Sequence, residues 1–180
     1  MWPGRGQDVG YLATVQIGTP PRDFLILMDS GSADFWVGAE NCQSDQGGGC
    51  VRDVFLFEMP KSIFWNSELQ GNHNFLGTKS SSSFQDTGTP FNVTYGTGQV
   101  SGTVITDNVA IAGLALNAHT FGVATTESVD FSADSTPFDG LMGLAQSVRA
   151  SVSNLGRHTD LIICVDPLKW TNTNPSWLAR

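Results

Sequence analysis

A chain of 180 residues with a net charge of −8 has room for one domain with a sizeable core and is short for two. The acidic balance argues against a nucleic-acid partner, because phosphate recognition wants a basic face. No apolar run approaches the roughly 20 residues a membrane helix needs, so no membrane partner is expected. Met1 leads into Trp-Pro-Gly-Arg-Gly without an apolar run, so no signal peptide is expected within this stretch.

In chain order, the short apolar runs are punctuated by Gly, Ser, Thr and Asn about every eight to twelve residues, a rhythm that reads as all-β. "YLATV" from Tyr11 to Val15 alternates as a strand, and "IGTPP" then makes a turn whose prolines stop pairing. "DFLILMD", ending at Asp29, is a continuous apolar run, as expected of a strand buried on both faces. Cys42 and Cys50 bracket a Gly-rich loop. They either close a small disulfide ring, which implies an oxidising compartment, or remain two thiols. Residues 51–70, "VRDVFLFEMPKSIFWNSELQ", lose the Gly/Ser/Thr texture and read as an atypical insertion. "FNVTYGTGQVSGTVITDNVAI" alternates through two arms around Gly96–Gly98 and reads as a long β-hairpin. "LNAHTFGVATT" reads as a strand pair or one bent strand, and "FDGLMGL" as a second buried run broken by glycines. Residues 148–180 lose the strand rhythm and carry four of the nine basic residues, which marks an irregular tail.

Asp29 is the residue with chemistry in its surroundings. Hydrolysing a peptide bond without a metal or a covalent nucleophile needs one carboxylate to activate water. A second carboxylic acid must protonate the carbonyl oxygen. Two carboxyls about 3 Å apart share one proton, because both cannot ionise at that distance. An apolar strand running into Asp29-Ser30-Gly31-Ser32 supplies one such group on a rigid element. The glycines of "GTGQVSG" are spaced too widely for a dinucleotide fingerprint, and no G-x-S-x-G elbow occurs. His73, His119 and His158 lack metal-ligand spacing and read as surface or satisfied core histidines. No metal or cofactor is expected. Asn92-Val93-Thr94 is a glycosylation acceptor by sequence, although its place in a hairpin strand argues against its use.

"IGTPPRDF", "MDSGSADFWVG", "TYGTGQVSG" and "FDGLMGL", in that order over residues 8–147, resemble the N-terminal lobe of pepsin-like aspartic endopeptidases, particularly secreted fungal ones. The resemblance implies an all-β acid-protease lobe and cleavage of proteins or peptides, usually at acid pH. It implies Asp29 as the first catalytic aspartate, with Ser30 bracing the paired catalytic loops and Ser32 bonding the carboxylate. Tyr95 becomes the tyrosine of a substrate-covering flap whose tip is Gly96-Thr97-Gly98, and Trp36 the partner of its hydroxyl. Leu141, Met142 and Gly143 match the segment that threads beside the catalytic loop, the psi-loop. Cys42 and Cys50 match a small disulfide after that loop. A secreted or vacuolar location follows from the same resemblance.

A second "DTG" at Asp86-Thr87-Gly88 follows the polar "SSSSFQ", not an apolar strand, and therefore reads as a decoy. The chain holds no other such tripeptide, so the partner of Asp29 must come from a missing C-terminal lobe or from a second copy, as in retroviral proteases. Chains of the retroviral kind are much shorter and lack the cysteine loop, which favours the missing lobe. Residues 51–70 begin with Val and end with Gln, whose codons can open and close an intron with GT and AG. Both 51–70 and 148–180 thus read as unspliced or mis-framed sequence. A transcript that retains the sixty nucleotides without GT and AG boundaries would refute this.

Overall fold

The structure is a computed structural model that describes residues 10–50 and 73–145. The insertion read at 51–70, the tail at 148–180 and His158 lie outside the described residues. Among the described residues seven strands run in chain order as β1 (Tyr11–Ile17), β2 (Arg22–Asp29), β3 (Phe35–Ser44), β4 (Gln85–Thr94), β5 (Gln99–Ile111), β6 (Leu114–Glu127) and β7 (Gly140–Gly143). One short helix, α1 (Val129–Ser132), precedes the last strand.

The strands form one sheet in the order β1-β2-β7-β3-β6-β5-β4. β5 also pairs with β1 through Gln16↔Ala110 and Ile17↔Val109, so the sheet curls and closes on itself. The Gly18–Pro21 turn between β1 and β2 contains a cis Thr19–Pro20 bond. Its neighbour Asp107 is fully buried and accepts hydrogen bonds from Ser81, Ser83 and the Asn108 amide, which fastens the polar turn before β4 to this end of the barrel.

Alternation along the strands builds two cores. Val15, Ile17, Phe24, Ile26, Phe35, Val37, Ile105, Val109, Phe121 and Met142 fill the barrel interior. Trp36, Phe91, Val93, Val100, Val104, Phe131 and Leu141 form a second cluster on the opposite face. Burying a side chain such as Phe24 or Ile26 is worth about 1.5–3 kcal/mol relative to leaving it exposed. β3 and β7 serve both cores, and every residue of Phe35–Ala39 and of Gly140–Gly143 is buried.

The apolar run of β2 differs from expectation. Phe24 and Ile26 are buried, but Leu25 between them is 39% exposed, so the strand is covered fully on one face only. Its outer face belongs to a single-layered barrel wall, with only partial cover from neighbouring segments. The hairpin also exceeds its predicted length, because β4 begins at Gln85 and includes Asp86-Thr87-Gly88. "LNAHTFGVATT" lies within one 14-residue strand, β6, with Ala118 at a positive φ of 48°.

Candidate active site

Asp29 is the last residue of β2, and β7 is wedged beside it. β7 runs parallel to β2 with Leu27↔Leu141, Met28↔Met142 and Asp29↔Gly143 in register. It runs antiparallel to β3 on its other side, with Phe35↔Met142 and Trp36↔Leu141. The Leu141-Met142-Gly143 segment is thereby threaded between the two strands that flank the Asp29 turn. Three amides at its end fix that turn: Gly143 N donates to Asp34 O (2.9 Å), Leu144 N to Asp29 O (2.7 Å) and Ala145 N to Ser32 O (2.8 Å). A Cβ on Gly143 would lie 2.5 Å from the backbone of Ser32 and Ala33, so only glycine lets the segment pass this close.

The Asp29 carboxylate is half-buried, and its Oδ1 accepts the Gly31 amide at 2.8 Å. Ser30 is exposed at the turn's tip. Ser32 departs from the sequence expectation. Its hydroxyl is buried and makes no hydrogen bond, so the expected bond to the Asp29 carboxylate is not formed. It approaches the Tyr95 hydroxyl closely enough to act on that phenol, but short of good hydrogen-bond geometry.

Tyr95 begins the turn of the β4–β5 hairpin, closed by its own amide donating to Gly98 O at 2.7 Å. Its hydroxyl accepts the Trp36 indole N–H at 2.9 Å, which ties the hairpin to β3 next to the Asp29 turn. Burial is the main cause that raises the Tyr95 pKa, and the nearby Asp34 and Asp29 carboxylates push the same way. The phenol therefore stays protonated and faces the carboxylate end of β2.

Two residues that hold this arrangement carry no signal in the sequence. Phe131 of α1 meets Trp36 edge-on at 5.6 Å and Tyr95 edge-on at 5.4 Å, bracing both rings. Ser128 accepts the Gln99 amide through Oγ at 3.0 Å, and its own amide donates to Gln99 O at 2.9 Å. A Cβ on Gly98 would collide with Ser128 Oγ at 2.1 Å, whereas Gly96 has open space around it and Thr97 is exposed at the tip. Cys42 and Cys50 are joined in a disulfide in which both cysteines are buried, which decides the alternative left open above.

Asp86 shares the local geometry of Asp29 without its setting. Its Oδ1 also accepts the amide two residues on, from Gly88 at 2.8 Å. It is exposed on β4, however, and is not the end of a buried strand. Of the histidines, His73 is buried with Nε2 at 3.1 Å from Ala133 O, as a satisfied core residue would be. His119 is neither surface nor satisfied: it is 8% exposed, and its Nε2 has no hydrogen-bond partner.

An aspartate turn on a threaded strand, under a hairpin tyrosine bonded to a tryptophan, defines a pepsin-like acid-protease lobe. Comparison with known proteins agrees, and the chain belongs to the eukaryotic aspartyl protease family, whose profile matches residues 10–163. It is 38% identical over 146 residues to Major aspartyl peptidase 1 of Cryptococcus neoformans var. grubii, which covers 81% of this chain and 25% of that protein. Pepsin A of Suncus murinus is 34% identical over 138 residues, 77% of this chain and 30% of the relative. Pregnancy-associated glycoprotein 2 of Bos taurus is 32% identical over 138 residues, with 77% of this chain and 30% of the relative covered. The chain thus spans about a quarter to three tenths of the length of these relatives.

Proposed function

We propose that the chain is one lobe of an aspartic endopeptidase in which Asp29 supplies one of two carboxylates that activate water for peptide hydrolysis. A second lobe supplies the other carboxyl, since the only further Asp-Thr-Gly, at Asp86, is exposed on a strand with no apolar lead-in. Across a gap of about 3 Å the pair shares one proton, and the protonated member acts as acid towards the substrate carbonyl. An extended protein or peptide substrate lies beneath the Gly96-Thr97-Gly98 tip, with Tyr95 facing the reacting bond. The observation that supports the reading is the 2.9 Å bond from Trp36 to Tyr95, because it ties the hairpin to β3, the strand that follows the Asp29 turn. This chemistry needs no metal or cofactor. The Cys42–Cys50 disulfide supports maturation in an oxidising compartment, and hence a secretory route to the exterior or a vacuole.

The isolated lobe should be catalytically silent. The measurement is cleavage of a quenched peptide at acid pH with and without pepstatin, with mass by sedimentation on the same sample. Pepstatin-sensitive turnover by the monomer would overturn the two-lobe reading. Turnover by a dimer only, lost in Asp29→Asn, would assign the second carboxyl to another copy of the chain. Turnover that survives Asp29→Asn would remove Asp29 from the mechanism.

A further inference from the structure

Asn92-Val93-Thr94 is the one usable N-glycosylation sequence in the chain, because the other candidate, Asn174-Pro175-Ser176, has proline at its centre. Its position in a hairpin strand looked unfavourable, since strands commonly bury alternate residues. The structure removes that objection. Asn92 and Thr94 are both exposed, while Phe91 and Val93 are buried in the second core. The acceptor amide and the hydroxyl that the transferase reads therefore lie on the outward face, two residues apart. Tyr95, Trp36 and Phe131 belong to the core on the other face.

The surroundings are also open. Among the described residues β4 pairs with β5 alone and ends the sheet order, so one of its edges has no strand neighbour. Across the ladder Pro90, Asn92 and Thr94 stand opposite Thr103, Ser101 and Gln99. None of these side chains is charged and none is buried. A sugar on Asn92 would rest on a neutral, hydroxyl-rich surface with nothing to desolvate.

We propose that Asn92 carries an N-linked oligosaccharide on the outer face of the flap hairpin. The inference rests on the secretory route argued above, because the transferase and its lipid-linked oligosaccharide diphosphate donor occupy that compartment. In the transfer, the Asn92 amide nitrogen bonds to the anomeric carbon of the donor sugar. The bond from that carbon to the diphosphate oxygen breaks, the lipid diphosphate leaves with the electron pair, and the amide loses one proton to a base of the transferase. The glycan covers the open edge of β4, where exposed backbone N–H and C=O groups would otherwise template pairing with another chain.

The test expresses the full 180-residue chain behind a secretory leader in a eukaryotic host and follows total cell and medium protein by intact mass. Expected is one glycosidase-sensitive increment per chain, absent from Asn92→Gln and Thr94→Ala and retained in Thr94→Ser. Release in heavy-oxygen water should leave labelled aspartate at position 92. Wild-type chain without that increment overturns the proposal. If Cys42–Cys50 is nonetheless closed in that sample, the route stands and only the glycan fails. A glycosidase-sensitive increment that persists in Asn92→Gln overturns the assignment to this residue. Peptidase activity enters none of these readouts, so failure of the endopeptidase reading would be visible separately.

Discussion

Glu127 closes β6 with its carboxyl buried, within 4.8 Å of the sulfurs of Cys42 and Cys50. Burial, reinforced by the charge of Asp139, pushes its pKa up from 4.5 to about 8. Between those values the folded chain keeps a proton that the unfolded chain has released, so this residue makes stability fall as pH rises. His119 works the other way. Burial lowers its pKa from 6.5 to about 4, so folding expels a proton across that window and stability rises with pH. From about pH 6.5 to 8 the contribution of His119 is level and that of Glu127 remains. Urea unfolding should show wild-type stability dropping over this interval by up to about 2 kcal/mol, at about 1.4 kcal/mol per unit. Glu127→Gln should flatten the drop, and an unchanged decline in that variant would refute the assignment. Neither residue announced itself in the sequence, because an acid or histidine in an alternating strand looks the same whether its face is covered or not. Asp29 was legible for the opposite reason: the apolar run before it states its setting.

At the scale of elements, Asp86-Thr87-Gly88 has a structural role that the sequence reading missed. β4 and β5 are in register at Asp86↔Ile105 and again at Thr89↔Val104, so Thr87 and Gly88 form a bulge. Opposite that bulge β5 changes core: Ile105 and Val109 face the barrel interior, while Val104 and Val100 face the cluster that holds Trp36 and Phe131. Extra residues of this kind bend the strand that carries them and raise its local twist. Gly88 sits at φ +70°, and Thr87 Oγ1 donates to Val104 O at 2.7 Å. Gly88→Val should therefore lower the unfolding free energy by about 1 kcal/mol or more, while Asp86→Asn, still able to accept the Gly88 amide, should leave it within about 0.5 kcal/mol. A loss in Asp86→Asn as large as that in Gly88→Val would mean that the carboxylate charge, and not the backbone alone, holds the bulge. The hairpin itself was readable from its two-residue period. The bulge was not, because its residues are those of an ordinary turn and only the partner strand distinguishes the two.

Over the whole molecule, apolar surface collects on the outer wall of β1 and β2. Leu12 pairs with Leu27 and Thr14 with Leu25, which places Leu12, Leu25 and Leu27 on one face. Leu12 is 41% and Leu25 39% exposed, and Leu144, bonded by its amide to Asp29, is 46% exposed. Such a patch favours association. Light scattering should find the chain self-associating with concentration, and the double change of Leu12 and Leu25 to Thr should weaken this without changing the unfolding free energy by more than about 1 kcal/mol. Association unaffected by the change would place the contact elsewhere. The threaded position of β7 bears on something other than catalysis, namely the order in which the protein can be made. Until residues 140–143 leave the ribosome, the Asp29 side of β2 has no neighbour, and Leu144 and Ala145 have not yet supplied the amides that shape the turn. A contact spanning more than a hundred residues closes slowly. The shape of the aspartate turn thus depends on residues made more than a hundred positions later, and a nascent chain halted before Gly140 lacks the amides that fix it.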